Sequence, residues 1–179
     1  MVYILLAPGF EEAEALVPAD LLRRAGVEAA LAALEGELVP GGHGITVKAD
    51  LALDQVDLDR AEMIVLPGGG LGVKNLGADP RVEELVREAV RRDIWVAAIC
   101  AAPTLLGRWG LLEGKRAICY PGMEGQLAGA RVQPSPGVVA DGKTITGRAA
   151  GSAFDFGVAL IEALSGSKAA GQVAESIAY

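Results

Sequence analysis

The stretch Asp93-Ile94-Trp95-Val96-Ala97-Ala98-Ile99-Cys100-Ala101-Ala102-Pro103-Thr104-Leu105-Leu106 decides the fold. A charged residue opens a continuous apolar run rich in Ile, Val and Ala, the pattern of a strand buried on both faces of a parallel sheet. Pro103 then suits a first helical turn, where its missing N–H had no intrahelical partner to lose. Cys100 is therefore expected at a strand-to-helix corner. The free N–H groups and dipole of an incoming helix favour negative charge there, which lowers a thiol's pKa and makes its sulfur nucleophilic and oxidisable to sulfenic or sulfinic acid. The alternative is an inert core cysteine, because free Cys is among the most buried residue types; exposure and pKa separate the two.

The same alternation of strand and helix continues on both sides. Val2 to Leu6 is a first strand closed by Pro8-Gly9, and Phe10 to Gly26 is a helix with acids early, Arg late and Gly at its end. Pro18 inside that helix predicts a kink or a break. Val27 to Leu34 reads as a second strand. From Glu35 to Leu53, Gly36, Pro40, Gly41, Gly42 and Gly44 punctuate short alternating pieces, which predicts a small β-ribbon excursion. Met63 to Leu66 is a third core strand running into Pro67-Gly68-Gly69-Gly70-Leu71-Gly72. Asp79-Pro80 opens a helix through Arg92, with Val82, Leu85, Val86, Ala89 and Val90 on one face. Further on, Lys115 to Tyr120 reads as a strand, Pro121 to Ala128 as a short helix, and Val138 to Gly147 as a hairpin turning at Asp141-Gly142. Gly151 to Leu164 and Lys168 to Ile177 read as two closing helices. The expected fold is α/β: a doubly wound, mostly parallel sheet with helices on both faces and its ligand site beyond the carboxyl ends of the strands.

At 179 residues, 51% of them apolar, the chain suits a single domain over 1–179. A net charge of −7 with scattered Lys and Arg argues against a nucleic-acid partner. The opening Met1 to Gly9 has no basic n-region, and its apolar run is too short for a signal peptide or a spanning helix; a cytoplasmic protein without a membrane partner is expected. Cys100 and Cys119 make no disulfide framework, and a single histidine, His43, argues against a His-rich metal site.

In a parallel sheet the strand ends converge on one rim. That rim would collect Glu11, Glu12 and Glu14, the Gly68-Gly69-Gly70 loop, Cys100, and Tyr120-Pro121. The glycine loop does not complete a dinucleotide pattern, since Val73 stands three residues beyond Gly70, and no Gly-Lys-Ser/Thr follows. It reads either as bare backbone N–H groups for an oxyanion or as a tight turn. Glu11 and Glu12 read as a solvated first helical turn. A carboxyl buried against a thiol would keep its proton and could transfer it, but spacing alone does not select Glu14.

Ala97-Ala98-Ile99-Cys100-Ala101-Ala102-Pro103-Thr104, Gly9-Phe10-Glu11-Glu12-Ala13-Glu14, Val65-Leu66-Pro67-Gly68-Gly69-Gly70 and Thr146-Gly147-Arg148-Ala149-Ala150-Gly151-Ser152-Ala153-Phe154-Asp155-Phe156 together resemble the DJ-1/PfpI (ThiJ) family, its DJ-1-like branch in particular. The resemblance implies a flavodoxin-like fold and a homodimer. It implies that Cys100 is a reactive nucleophile-elbow cysteine and Glu14 the acid that hydrogen-bonds its sulfur. Gly68 and Gly69 fall on the loop whose N–H groups face the substrate oxygen, and Ala101 and Tyr120 complete the expected substrate-contacting set. Family members are described as glyoxalases that convert methylglyoxal to lactate without a cofactor, as protein deglycases, as chaperones and as oxidative-stress sensors. The chain departs from the pattern at Tyr120, where many members carry histidine, so a Cys-His peptidase chemistry loses its base. His43 is expected at the surface, near the site only if a dimer partner brings it there, and Cys119 is expected to be packing. The leading expectation is a cofactor-independent enzyme on a small reactive carbonyl. The alternative is a redox-sensing protective chaperone that signals through oxidation of Cys100 without turnover.

Overall fold

The computed structural model describes residues 1–179. In chain order the elements are β1 (Val2–Leu6), α1 (Glu12–Arg24), β2 (Ala29–Ala33), β3 (Leu38–Pro40), β4 (Thr46–Lys48), β5 (Leu51–Ala52), β6 (Met63–Leu66), α2 (Gly70–Ala78), α3 (Pro80–Arg91), β7 (Trp95–Ile99), α4 (Pro103–Arg108), β8 (Arg116–Ala117), β9 (Arg131–Val132), β10 (Val138–Asp141), β11 (Thr144–Gly147) and α5 (Ala153–Ser176). Seven strands form the central sheet in the order β10-β11-β7-β6-β1-β2-β5. All neighbours are parallel except the β10-β11 hairpin.

The apolar runs are continuous because helices cover both faces of the sheet. Tyr3, Leu5, Ile64, Leu66, Val96 and Ala98 point to one side and pack with Val73, Leu76, Val82, Val86 and Leu105. Val2, Ile4, Leu6, Met63, Val65, Ala97 and Ile99 point to the other, against Ala15, Leu21, Leu22, Phe156, Leu160 and Ile161. Each fully buried Leu, Ile or Val contributes about 1.5–3 kcal/mol relative to exposure, so a one-residue slip of a central strand would exchange its two sets of partners and is strongly opposed. The register aligns Leu66 with Ala98 and Gly147 with Ile99, which brings the carboxyl ends of β6, β7 and β11 to one rim.

Several expectations need correction. α1 runs through Pro18 unbroken: Gly157 of α5 lies so close that a Cβ there would stand 2.6 Å from Leu21 Cδ1 and 3.3 Å from Pro18 Cα, and this packing outweighs the hydrogen bond proline cannot make. The glycine loop does not stay a loop, because Gly70 begins α2. Val90 is exposed rather than part of the buried stripe of α3. Lys115 to Tyr120 contributes only Arg116–Ala117, paired with β9 outside the main sheet, and Pro121 to Ala128 contains only a 3₁₀ turn at Glu124–Gln126. The ribbon forms as expected from β3 and β4, but Leu51–Ala52 leaves it to extend the main sheet beside β2. The two closing helices abut at Gly166, whose φ of 82° breaks the helical geometry between them. No helix is long and apolar enough to cross a membrane.

Candidate active site

Cys100 follows β7 with φ 66°, a left-handed conformation that costs a residue bearing a Cβ roughly 1–2 kcal/mol. The corner is held from both sides: the Cys100 N–H donates to Gly147 O at 3.0 Å, and the Tyr120 N–H donates to Cys100 O at 2.7 Å. The turn tightens through Ala102 N–H to Ile99 O, and Thr104 Oγ1 donates to Ala101 O at 2.7 Å, before Pro103 opens α4. This bend leaves Cys100 half-buried, packed against both apolar layers, with the N–H groups of Gly69 and Ala101 turned to its sulfur.

Glu14 reaches the sulfur from the first turns of α1. It has no accessible surface; its Oε2 accepts the Gly68 N–H at 2.8 Å, while Oε1 has no hydrogen-bond partner. The thiol of Cys100 shares the pocket with this carboxyl, close enough that each shifts the other's titration. Gly68 lies between the two groups. A Cβ there would stand 2.6 Å from Cys100 Cβ and 3.1 Å from its Sγ, besides striking the Glu14 carboxyl. Glycine is thus required at 68 by close approach.

Burial pushes the Glu14 carboxyl up to about 7, against the pull of the nearby Cys100 thiol and of the Gly68 N–H. Burial first, and then the charge and nearness of the Glu14 carboxyl, push the Cys100 thiol up to about 12; the Gly69 and Ala101 N–H groups pull the other way. The expectation of a thiol ionised by its helix end is therefore corrected. α4 has six residues, and its N-terminal field is outweighed by desolvation and by a carboxylate alongside. What the geometry provides is a buried carboxyl beside a half-buried thiol, with both groups pushed toward their protonated forms.

The other predicted residues fall into place unevenly. The Gly68 N–H is taken by Glu14, so Gly69 and Ala101 supply the donors that face the sulfur. Tyr120 is beside Cys100 through its backbone, whereas its side chain is exposed. Glu12, expected to be solvated, is buried: Oε1 accepts the N–H groups of His43 at 2.7 Å and Ile45 at 3.3 Å, and Oε2 meets the His43 ring at 3.0 Å. Burial works to raise its pKa, but these bonds and one from its own backbone dominate and hold it at about 2. His43 itself is raised, chiefly by its hydrogen bond to Glu12 and then by the charges of Glu11 and Glu12. Ligand atoms of Glu11, Glu12 and His43 lie within 4.8 Å of one another, and the ion pairs among them already satisfy the set. This clasp ties the ribbon to the start of α1 and lines one cleft with Gly69 and Gly70, so His43 stands near the site within one chain. Cys119 is buried in the apolar layer beneath α4, as packing requires. A single histidine that follows two glycines in a ribbon gave no sequence signal for its pairing with Glu12.

A mostly parallel sheet of this order, with a half-buried thiol at a strained strand-to-helix corner, places the chain among the flavodoxin-like α/β proteins. Within that class the chain belongs to the DJ-1/PfpI family, whose sequence model matches residues 1–163. Among its relatives, protein dj-1beta of Drosophila melanogaster is 38% identical over 176 residues, covering 97% of this chain and 94% of that protein. The crystal structure of Drosophila DJ-1beta superposes with a TM-score of 0.94 at 37% identity, over 98% of this chain and 96% of the other. A protein named as a deglycase in Pyrococcus abyssi is 32% identical over 154 residues, covering 86% of this chain and 92% of that one.

Proposed function

We propose that the chain is a cofactor-independent cysteine enzyme acting on small reactive carbonyls, converting methylglyoxal to lactate or removing the same adduct from glycated groups. The observation that carries this reading is the buried Glu14 carboxyl, raised to about 7 by its burial, in the pocket it shares with the Cys100 thiol. A base of that strength is matched to neutral pH. The family membership and the deglycase name of the Pyrococcus relative support it further.

As the sulfur attacks the aldehyde carbon, the S–C bond forms, the thiol proton passes to the Glu14 carboxylate and from there to the former carbonyl oxygen, giving a hemithioacetal and leaving Glu14 a carboxylate again. Gly69 and Ala101 N–H groups stabilise the oxygen while it carries charge. Glu14 then takes the C1 proton and returns an equivalent proton to C2, while the hydroxyl proton moves from the C1 oxygen to the C2 oxygen, leaving a lactoyl thioester. Water cleaves the thioester, releasing lactate and restoring the thiol. The sum is methylglyoxal plus water to lactic acid, an internal redox exchange that needs no external oxidant or reductant. Purified protein incubated with methylglyoxal should yield lactate, and Cys100→Ser and Glu14→Gln should each lower the rate by at least a hundredfold. Undiminished turnover in Cys100→Ser refutes the reading.

A second reading, a sensor signalling through oxidised Cys100, is favoured by the partial exposure of that sulfur. Intact mass after mild peroxide separates the two: a selective two-oxygen adduct on Cys100 in a protein that makes no lactate supports the sensor. We also infer a homodimer, since Leu38, Ile45 and Leu71 are exposed around the ribbon and the start of α2, a patch a second copy could cover. Light scattering at the monomer mass argues against it.

A further inference from the structure

A second cleft, of about 420 Å³, opens on the other side of the Gly70 turn. Its walls come from α2 and α4 and include Ala101, Thr104, Lys74 and Arg108, and no acidic residue lines it. Neither Lys74 nor Arg108 is in an ion pair, although most arginines of this chain are. The Arg108 guanidinium lies over Gly77, where a Cβ would stand 3.3 Å from Nη1 and 3.6 Å from Nη2. The two acids that adjoin this wall in sequence are engaged elsewhere: Glu124 accepts the Gly122 N–H at 2.8 Å, and Asp79 pairs with Arg81 at 2.6 Å. In a chain of net charge −7, two unneutralised cations facing an acid-free cleft form a local reversal of sign. Ala101, the chain neighbour of Cys100, belongs both to this cleft and to the donor pair facing the sulfur, which sets the cleft next to the thiol.

We propose that the cleft flanked by Lys74 and Arg108 is a subsite for the anionic end of the substrate, a carboxylate or a phosphate group, while the reacting carbonyl lies at Cys100. The subsite deepens the carbonyl-enzyme reading by assigning it a substrate class, carbonyl compounds with an acidic tail. Arg offers two parallel donors and Lys a point charge, which together suit a group with two or three equivalent oxygens.

The test compares alkylation of Cys100 in the full chain by iodoacetate, which is anionic, and by iodoacetamide, which is neutral. The ratio of the two rates reads the field at the sulfur without any turnover. Lys74→Ala/Arg108→Ala should lower that ratio on the order of fivefold at low salt, with the difference shrinking at high salt. Lys74→Arg/Arg108→Lys should keep it. An unchanged ratio in the alanine pair overturns the subsite, and so does a ratio in the conservative pair as low as in the alanine pair. Protection of Cys100 from iodoacetamide by pyruvate more than by inorganic phosphate, at equal ionic strength, assigns a carboxylate tail; the reverse order assigns a phosphate; protection by neither overturns the subsite. A flat ratio beside intact lactate formation removes the subsite and leaves the enzyme, whereas a shifted ratio without turnover does the opposite.

Discussion

Glu14→Gln should reverse its effect on stability with pH relative to an ordinary surface substitution. The folded state raises this carboxyl from 4.5 to about 7, so between those values the native chain holds a proton that the unfolded chain has released. Wild-type stability contributed by this group therefore falls as pH rises from 4.5 to 7, and above that the folded state carries a penalty of about 3 kcal/mol. Gln has the same shape, can accept the Gly68 N–H and has no charge to bury. Integrated between pH 5 and pH 8, the variant should gain about 2–3 kcal/mol on the wild type. His43, raised and lost as a stabilising charge at rising pH, contributes equally to both proteins and cancels. Urea unfolding at the two pH values, with equal m-values, gives the number directly. A difference between variant and wild type that does not change from pH 5 to pH 8 refutes the argument that a buried, ionising Glu14 opposes folding.

Other expectations follow from single contacts. Gly68→Ala should lose most activity and destabilise the fold by about 1–3 kcal/mol in urea titrations, because the added methyl enters the space shared by Glu14 and Cys100. Glu12→Gln should be less stable than the wild type by about 1–2 kcal/mol at pH 7, a figure discounted for solvent at the cleft's lip. Since Glu12 is held at about 2, that deficit should shrink as pH falls from 4.5 toward 2, which acid titration of both proteins would reveal. Cys119→Ala should leave lactate formation in place and cost about 1–2 kcal/mol of stability, as befits a packed side chain.

The central strands were legible because burial on both faces leaves no alternation to confuse: Val2 to Leu6, Met63 to Leu66 and Trp95 to Ile99 needed only their apolar runs and bounding turns. α2 was not, because a helix beginning Gly-Leu-Gly and holding a third glycine at position 77 has little propensity of its own. It forms because Val73 and Leu76 are buried against the sheet and the Gly72 N–H bonds Gly9 O at 3.0 Å. Lys115 to Tyr120 misled because an apolar run carries no information on whether a neighbouring edge is free, and β10 already closes that side of the sheet. At the site, the corner at Cys100 could be read from Pro103, and Glu14 only through a family pattern. The burial of Glu12, the capture of the Gly68 N–H and the pairing of Lys74 with Arg108 all depend on contacts between distant parts of the chain.

Ultraviolet titration of the Cys100 thiolate, taken as the difference from Cys100→Ser, is the most direct probe of its coupling to Glu14. With the neighbouring negative charge removed and an amide donor in its place, Glu14→Gln should form the thiolate at distinctly lower pH than the wild type. A sulfur that ionises at the same pH in both proteins, or later in the variant, contradicts the account.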